Sequence, residues 1–180
     1  MVVTETVRAR AIAEERLADL PHRWAHVRGV AATAERLVVG LDAVDADAVV
    51  TAAWLHDVGY APSIRSTGFH PIDGALFVRD EGFSAVVVSL VAYHTGAVFE
   101  ARERGRADVL AEFTAPSPLL LDVLTCADLT TSPQGTPVRA EDRVTEILTR
   151  YPDGDPVHRA IERAAPSLLA AAARVSASAR

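Results

Sequence analysis

The chain has no lysine. All 18 of its Lys+Arg positions are arginine, dispersed along 180 residues whose formal net charge is -6. An acidic chain without a basic stripe lacks the electrostatic footprint that binding a phosphate backbone requires. A nucleic-acid polymer is therefore not an expected partner, whereas a small phosphorylated molecule is compatible. Cys126 is the single cysteine, which excludes an intrachain disulfide framework and a thiolate zinc cluster. Long apolar runs are missing too. The longest, AVVVSLVAY over 85–93, is interrupted by serine and falls well short of the ~20 residues that span a bilayer. The opening MVVTETVRARAIAEERL carries charges throughout, unlike a secretory signal. These absences predict a soluble, cytoplasmic protein with no membrane partner.

Glycine and proline are sparse, at 10 each, while alanine is abundant and hydrophobic residues make up 49%. That balance favours helix over a many-stranded sheet, and the length suits one domain with a sizeable core. No repeat or long linker divides the chain. Periodicity and breakers predict helices over 5–20 and 22–39, the latter stopped by Gly40. A third, ADAVVTAAWLHDV, is expected to be capped by Asp45 or Asp47 and ended by Gly59. Further helices are expected from Pro71, from a Ser84 cap through Tyr93, and over 118–128. Two amphipathic helices follow at 139–151 and 156–175, with a kink at Pro166. VVVSLV has strand composition but no strand partner, so the expected fold class is all-α.

Four of the six histidines fall on or beside helix ends within apolar segments: His26, His56, His70 and His94. His56 is followed directly by Asp57 in WLHDVGY, and Asp128 lies inside the hydrophobic helix LLLDVLTCADL. An unpaired buried carboxylate is costly there, and a cation or hydrogen-bond network relieves the cost. Imidazole nitrogens and carboxylate oxygens are ligands of divalent Zn, Mn, Fe and Co. His22 reads as a helix-start residue and His158 as solvated. Cys126 reads as a small buried hydrophobe and Asp122 as a cap or salt-bridge partner. Tyr60, Tyr93, Thr130 and Thr131 adjoin the candidate ligands and are expected to pack or orient them. The charge run EARERGRAD is read as a solvated face rather than a lid.

In this order the residues resemble the HD-domain superfamily of metal-dependent phosphohydrolases, whose pattern is a histidine, a His-Asp pair and a distant aspartate on a helical bundle. HVRGV, LHDVG and CADLT supply the matches His26, His56–Asp57 and Asp128. GFHPIDGA and VAYHTG add His70 and His94, the two histidines found in members that hold two metals. The resemblance spans about 23–131 and implies a stand-alone HD-type domain over 1–180. Its motif-bearing core would cover about 22–132, with C-terminal helices at 138–176.

It further implies that His26, His56 and Asp128 hold one divalent ion and His70 and His94 a second, with Asp57 bridging. The ions would be Fe, Mn, Co, Zn or Mg. A shared hydroxide would attack phosphorus, and Arg23 and Arg65 are the catalytic candidates for balancing phosphate charge. Cyclic-di-GMP phosphodiesterase and alarmone-hydrolase signatures are absent, since YHTGAVFE and VGYAP stand at those places. The expected function is hydrolysis of a small phosphate ester or nucleotide. The alternatives are a mixed-valent di-iron oxygenase that cleaves a C–C or C–P bond, or a non-catalytic metal-containing module. The Ala-rich last helix, with Leu168, Leu169 and Val175, is available to pack on the bundle or to form a homodimer.

Overall fold

The computed structural model describes residues 4–178, which form ten α-helices and no strand. The predicted all-α class is correct. Helix α1 (Glu5–Leu17) starts where the Thr4 side chain accepts from the amide of Val7. Helix α2 (Pro21–Leu37) has proline in its first turn, where the missing N–H costs nothing. Helix α3 (Ala43–Leu55) begins earlier than expected. Its cap is Asp42, whose Oδ1 accepts from the amides of Val44 and Asp45, each at 3.0 Å. Asp47, one of the expected caps, instead accepts from the Thr6 hydroxyl at 2.7 Å.

Helices α4 (His70–Asp80) and α8 (Pro118–Leu129) also have proline in the first turn, and between them α5 covers Ala85–Tyr93. The charge run read as a solvated face is instead structured. It ends α6 (Ala97–Glu103) and begins α7 (Ala107–Leu110). Ala97 and Ala101 are buried, and Glu103 pairs with Arg159 and Arg163. Alanines hidden among charges carry only a weak apolar period, so the run looked polar all round. Helices α9 (Ala140–Arg150) and α10 (Pro156–Ser178) close the chain, and α10 continues through Pro166.

Helix α3 is the centre of the packing: it touches α1, α2, α5 and α8 and is buried continuously from Ala48 to Leu55. All-round burial explains why its sequence is apolar without a clear stripe. Helix α10 lies over α8, α6 and α9, so Leu168 and Val175 are buried against this chain's own bundle. A second apolar cluster (Leu129, Val144, Ile147, Ile161, Ala164 and Leu168) joins the end of α8 to α9 and α10. The expected salt-bridge role of Asp122 is present, with Arg174 at 2.8 Å, and Cys126 is buried. His158, expected to be solvated, is largely covered. Its Nδ1 donates to the Tyr151 carbonyl at 2.8 Å and ties α10 to the end of α9.

Gly59 does not end α3 as expected. The helix stops at Leu55, His56 and Asp57 form the turn, and a 3-10 segment covers Val58–Tyr60. A Cβ on Gly59 would stand 2.1 Å from the carbonyl oxygen of His70. Only glycine lets the start of α4 come this close, and the approach brings His70 to the His-Asp pair.

Candidate metal centre

Five places in the fold bring the expected ligand residues together, and all but His56 line one cavity. His26 comes from the middle of α2, His56 and Asp57 from the turn after α3, and His70 from the first position of α4. His94 directly follows α5, and Asp128 lies in the last turn of α8. They fall into two groups, His26–His56–Asp128 and Asp57–His70–His94. Within each group the donor atoms lie within 4.8 Å of one another.

The second group is tightly spaced. His70 Nε2 is 3.1 Å from His94 Nε2, and Asp57 Oδ1 is 3.4 Å and 3.9 Å from these two nitrogens. Donors sharing one cation at ~2.1 Å stand about 3–3.5 Å apart. Asp57 also faces the first group, since its Oδ2 is 3.6 Å from His56 Nε2. One carboxylate therefore lies between the two groups. In the first group, His26 Nε2 and Asp128 Oδ1 are 2.9 Å apart.

Three of the rings are oriented by backbone carbonyls. His26 Nδ1 donates to Ser132 at 3.0 Å, His56 Nδ1 to Ala53 at 2.8 Å and His94 Nδ1 to Val91 at 2.7 Å. With Nδ1 carrying the proton, His56 and His94 turn an Nε2 lone pair inward, the arrangement that metal-ligating histidines adopt, whereas His26 Nε2 faces the Asp128 carboxylate. His56 is fully buried, and its Nε2 has no hydrogen-bond partner among the described residues. An orphaned buried acceptor costs about 1–3 kcal/mol. Lone pairs converging from His56, His70 and His94 fit a cation better than they fit each other.

The electrostatics agree. Burial alone would raise Asp57, but Arg23 and the surrounding histidines hold its carboxyl well below the usual range. Asp128 behaves alike: burial opposes its charge, and His26 outweighs burial. Burial and neighbouring cations push His70 and His94 below the ordinary histidine value, so they present neutral rings. His26 is the exception. Burial lowers it, yet the Asp128 carboxylate more than reverses this, placing a proton where a cation would sit.

The cavity beside the centre measures about 80 Å³. Arg23 lines it, donates from Nη1 to Asp57 Oδ2 at 2.7 Å, and lies 3.8 Å over the ring of Tyr60. Tyr60 in turn stacks on His70 at 4.0 Å. Arg65, the other expected cation, is not brought in. It is exposed and lines a neighbouring groove with Leu20 and His22, because the loop after the 3-10 segment turns outward. His22 is exposed in the first turn of α2.

Several lining residues lay beyond the sequence reading. Thr95 donates to Asp128 Oδ2 at 2.5 Å and holds the left-handed φ of +36°, rare for a β-branched residue. Its place directly after His94 was the available signal. Glu100, Arg143, Arg150 and Tyr151 also line the cavity, and nothing in their local sequence marks them. Tyr93 donates to the carbonyls of Leu110 and Phe113, and Thr130 and Thr131 to those of Cys126 and Ala127. All three therefore serve packing.

The helical bundle gathers four histidines and two aspartates into two three-donor groups that could each hold a metal ion, the marks of a histidine–aspartate protein. The HD domain profile matches residues 23–131, more than half of the chain, and the protein belongs to that family. The match includes all six residues of the centre and ends before α9 and α10. No curated protein and no solved structure matches the chain.

Proposed function

We propose that the protein is a metal-dependent phosphohydrolase acting on a small phosphate ester or nucleotide. The observation that carries this reading is Asp57, whose two carboxylate oxygens face two separate groups of histidine donors. His26, His56 and Asp128 would hold one divalent ion and His70 and His94 another, with Asp57 common to both. When bound, such ions supply Lewis-acid charge to a phosphoryl oxygen and make a water acidic enough to attack at neutral pH.

The protein's own groups do the rest. Arg23 fixes Asp57 in its ionised form, and Tyr60 beneath it limits both to one orientation. Thr95 plays the same part for Asp128. Burial pushes the Glu100 carboxyl above its ordinary value even with Arg104 bonded to it. It is the cavity group suited to hold a proton for the departing oxygen. Ile147, Val157 and Ile161 give the cavity an apolar wall, which suits the organic part of a phosphate ester. The apolar cluster that α9 and α10 share with the end of α8 supports reading them as part of one domain with the histidine core.

Elemental analysis of protein purified without chelators, followed by a phosphate-release screen over nucleotides and sugar phosphates, tests the reading. The expected result is bound divalent metal and metal-dependent phosphate release. Bound iron with substrate-dependent oxygen uptake and no phosphate release would replace hydrolysis by oxygenase chemistry.

A further inference from the structure

Helix α9 lies outside the segment that matches the HD profile, yet it sends two arginines into the cavity. Arg143, Glu146 and Arg150 stand at i, i+3 and i+7, on one face of the helix. Glu146 is shared: it accepts from Arg143 Nη1, and Arg150 Nε lies 3.2 Å from its Oε1. Two cations thus have one anion between them. The exposures are unequal, because the Arg143 side chain is only 6% exposed whereas those of Glu146 and Arg150 remain over a third exposed. Arg143 Nε is buried and has no partner among the described residues. A guanidinium with an unsatisfied N–H and half a counter-ion is a costly thing to bury. A structural ion pair would satisfy the fork from the protein itself.

We infer that Arg143, supported by Arg150, is the anion-binding element of the site and holds the phosphoryl oxygens of the substrate beside the histidine–aspartate centre. The inference rests on the hydrolase reading for the identity of the anion. Its residues come from α9, so substrate selection is carried by a part of the chain that contributes none of the proposed metal ligands. Guanidinium presents paired N–H donors whose spacing matches two oxygens of a phosphoryl group. Glu146 holds the fork in place and competes with the incoming anion.

Calorimetric titration of orthophosphate into Mn²⁺-loaded protein tests this, with metal content measured separately on every variant. Arg143→Met should raise the phosphate Kd about tenfold or more, the effect of losing a charged hydrogen bond, while the metal content stays at the wild-type level. Arg143→Lys should fall between the two. Glu146→Gln, which removes the competing anion, should lower the Kd. A purely structural Arg143–Glu146 pair predicts loss of stability in both variants with an unchanged Kd. That result, or wild-type protein that binds no phosphate, overturns the inference. Should Arg143→Met fail to fold, Glu146→Gln decides: tighter binding supports the inference and unchanged binding refutes it. Phosphate binding that depends on Arg143 in protein without metal would remove the metal reading and leave this one. Metal retained with phosphate binding indifferent to Arg143 would do the reverse.

Discussion

Replacing His56 by leucine should change the sign of its effect on stability according to whether metal is present. Without metal, His56 Nε2 is a buried acceptor with no partner, a cost of about 1–3 kcal/mol that leucine removes. Leucine also forfeits the Nδ1 bond to the Ala53 carbonyl, worth about 1 kcal/mol. The two are of similar side-chain size, so the net change in chelator is about 0 to 2 kcal/mol in favour of leucine. For a chain of this length about 2–4 °C in Tm corresponds to each kcal/mol.

With metal at a hundred times its Kd, the wild type gains about 2.7 kcal/mol. A variant whose affinity is a hundredfold weaker gains only about 0.4 kcal/mol at the same concentration. Any contribution from Asp57, His70 and His94 is common to both proteins. The order of melting temperatures should therefore reverse between chelator and saturating Mn²⁺, as read by scanning calorimetry. A loss of the same size in both conditions would show that His56 is an ordinary core residue, and the argument from its orphaned nitrogen would fail.

Asp57→Ala should abolish phosphate release while circular dichroism shows the helices retained; full activity in that variant refutes the bridging role. Thr95→Val removes the hydroxyl that holds Asp128 and should weaken metal binding about 10–100-fold. Thr95→Gly relieves the positive φ and should weaken it as much, whereas equal affinity for the glycine variant would mean that backbone strain matters and the hydroxyl does not. Glu100→Gln should lower kcat with unchanged metal content, and an unaltered pH–rate profile would remove Glu100 as proton donor. In metal-free protein, the lowered His70 and His94 give stability that is present above an unfolded pKa of about 6.5 and lost as pH falls toward their folded values. The raised His26 gives stability present below about 6.5 and lost as pH rises through its folded value. Across the histidine range, Tm in chelator should peak near pH 6.5, and a monotonic rise through that pH would contradict the paired His26.

The helices and the six donors were legible because each left a local mark. Apolar runs fell between Pro21, Pro71 and Pro118, and every donor sat beside a helix end or inside an apolar segment. What the sequence concealed depended on pairing across distance. Asp45 and Asp47 are good caps in isolation, yet Asp42 caps α3 while Asp47 turns to Thr6, a residue of another helix. Arg23 and Arg65 were equal candidates, but the first turn of α2 brings Arg23 to Asp57 while Arg65 lies exposed in the loop after the 3-10 segment. Arg143 and Arg150 lie in a segment that was read only as an amphipathic helix, since nothing local shows that α9 lies over the cavity. Gly59 read as a helix stop because the carbonyl that crowds it belongs to a residue in the next helix.

The two donor groups also differ in how the chain must close to form them. His70 and His94 are 24 residues apart, whereas His26 and Asp128 are separated by 102. The nearer group can form from one neighbourhood of the chain; the farther one waits for both ends of the bundle to dock, a slow step because loop-closure entropy precedes any contact. A cation seated between His26, His56 and Asp128 would then act as a cross-link over that long loop. A covalent bridge of ~100 residues is worth about 4.7 kcal/mol in the chain-entropy account. In a protein whose one cysteine is buried alone, the metal would be the fold's clasp as well as its reagent.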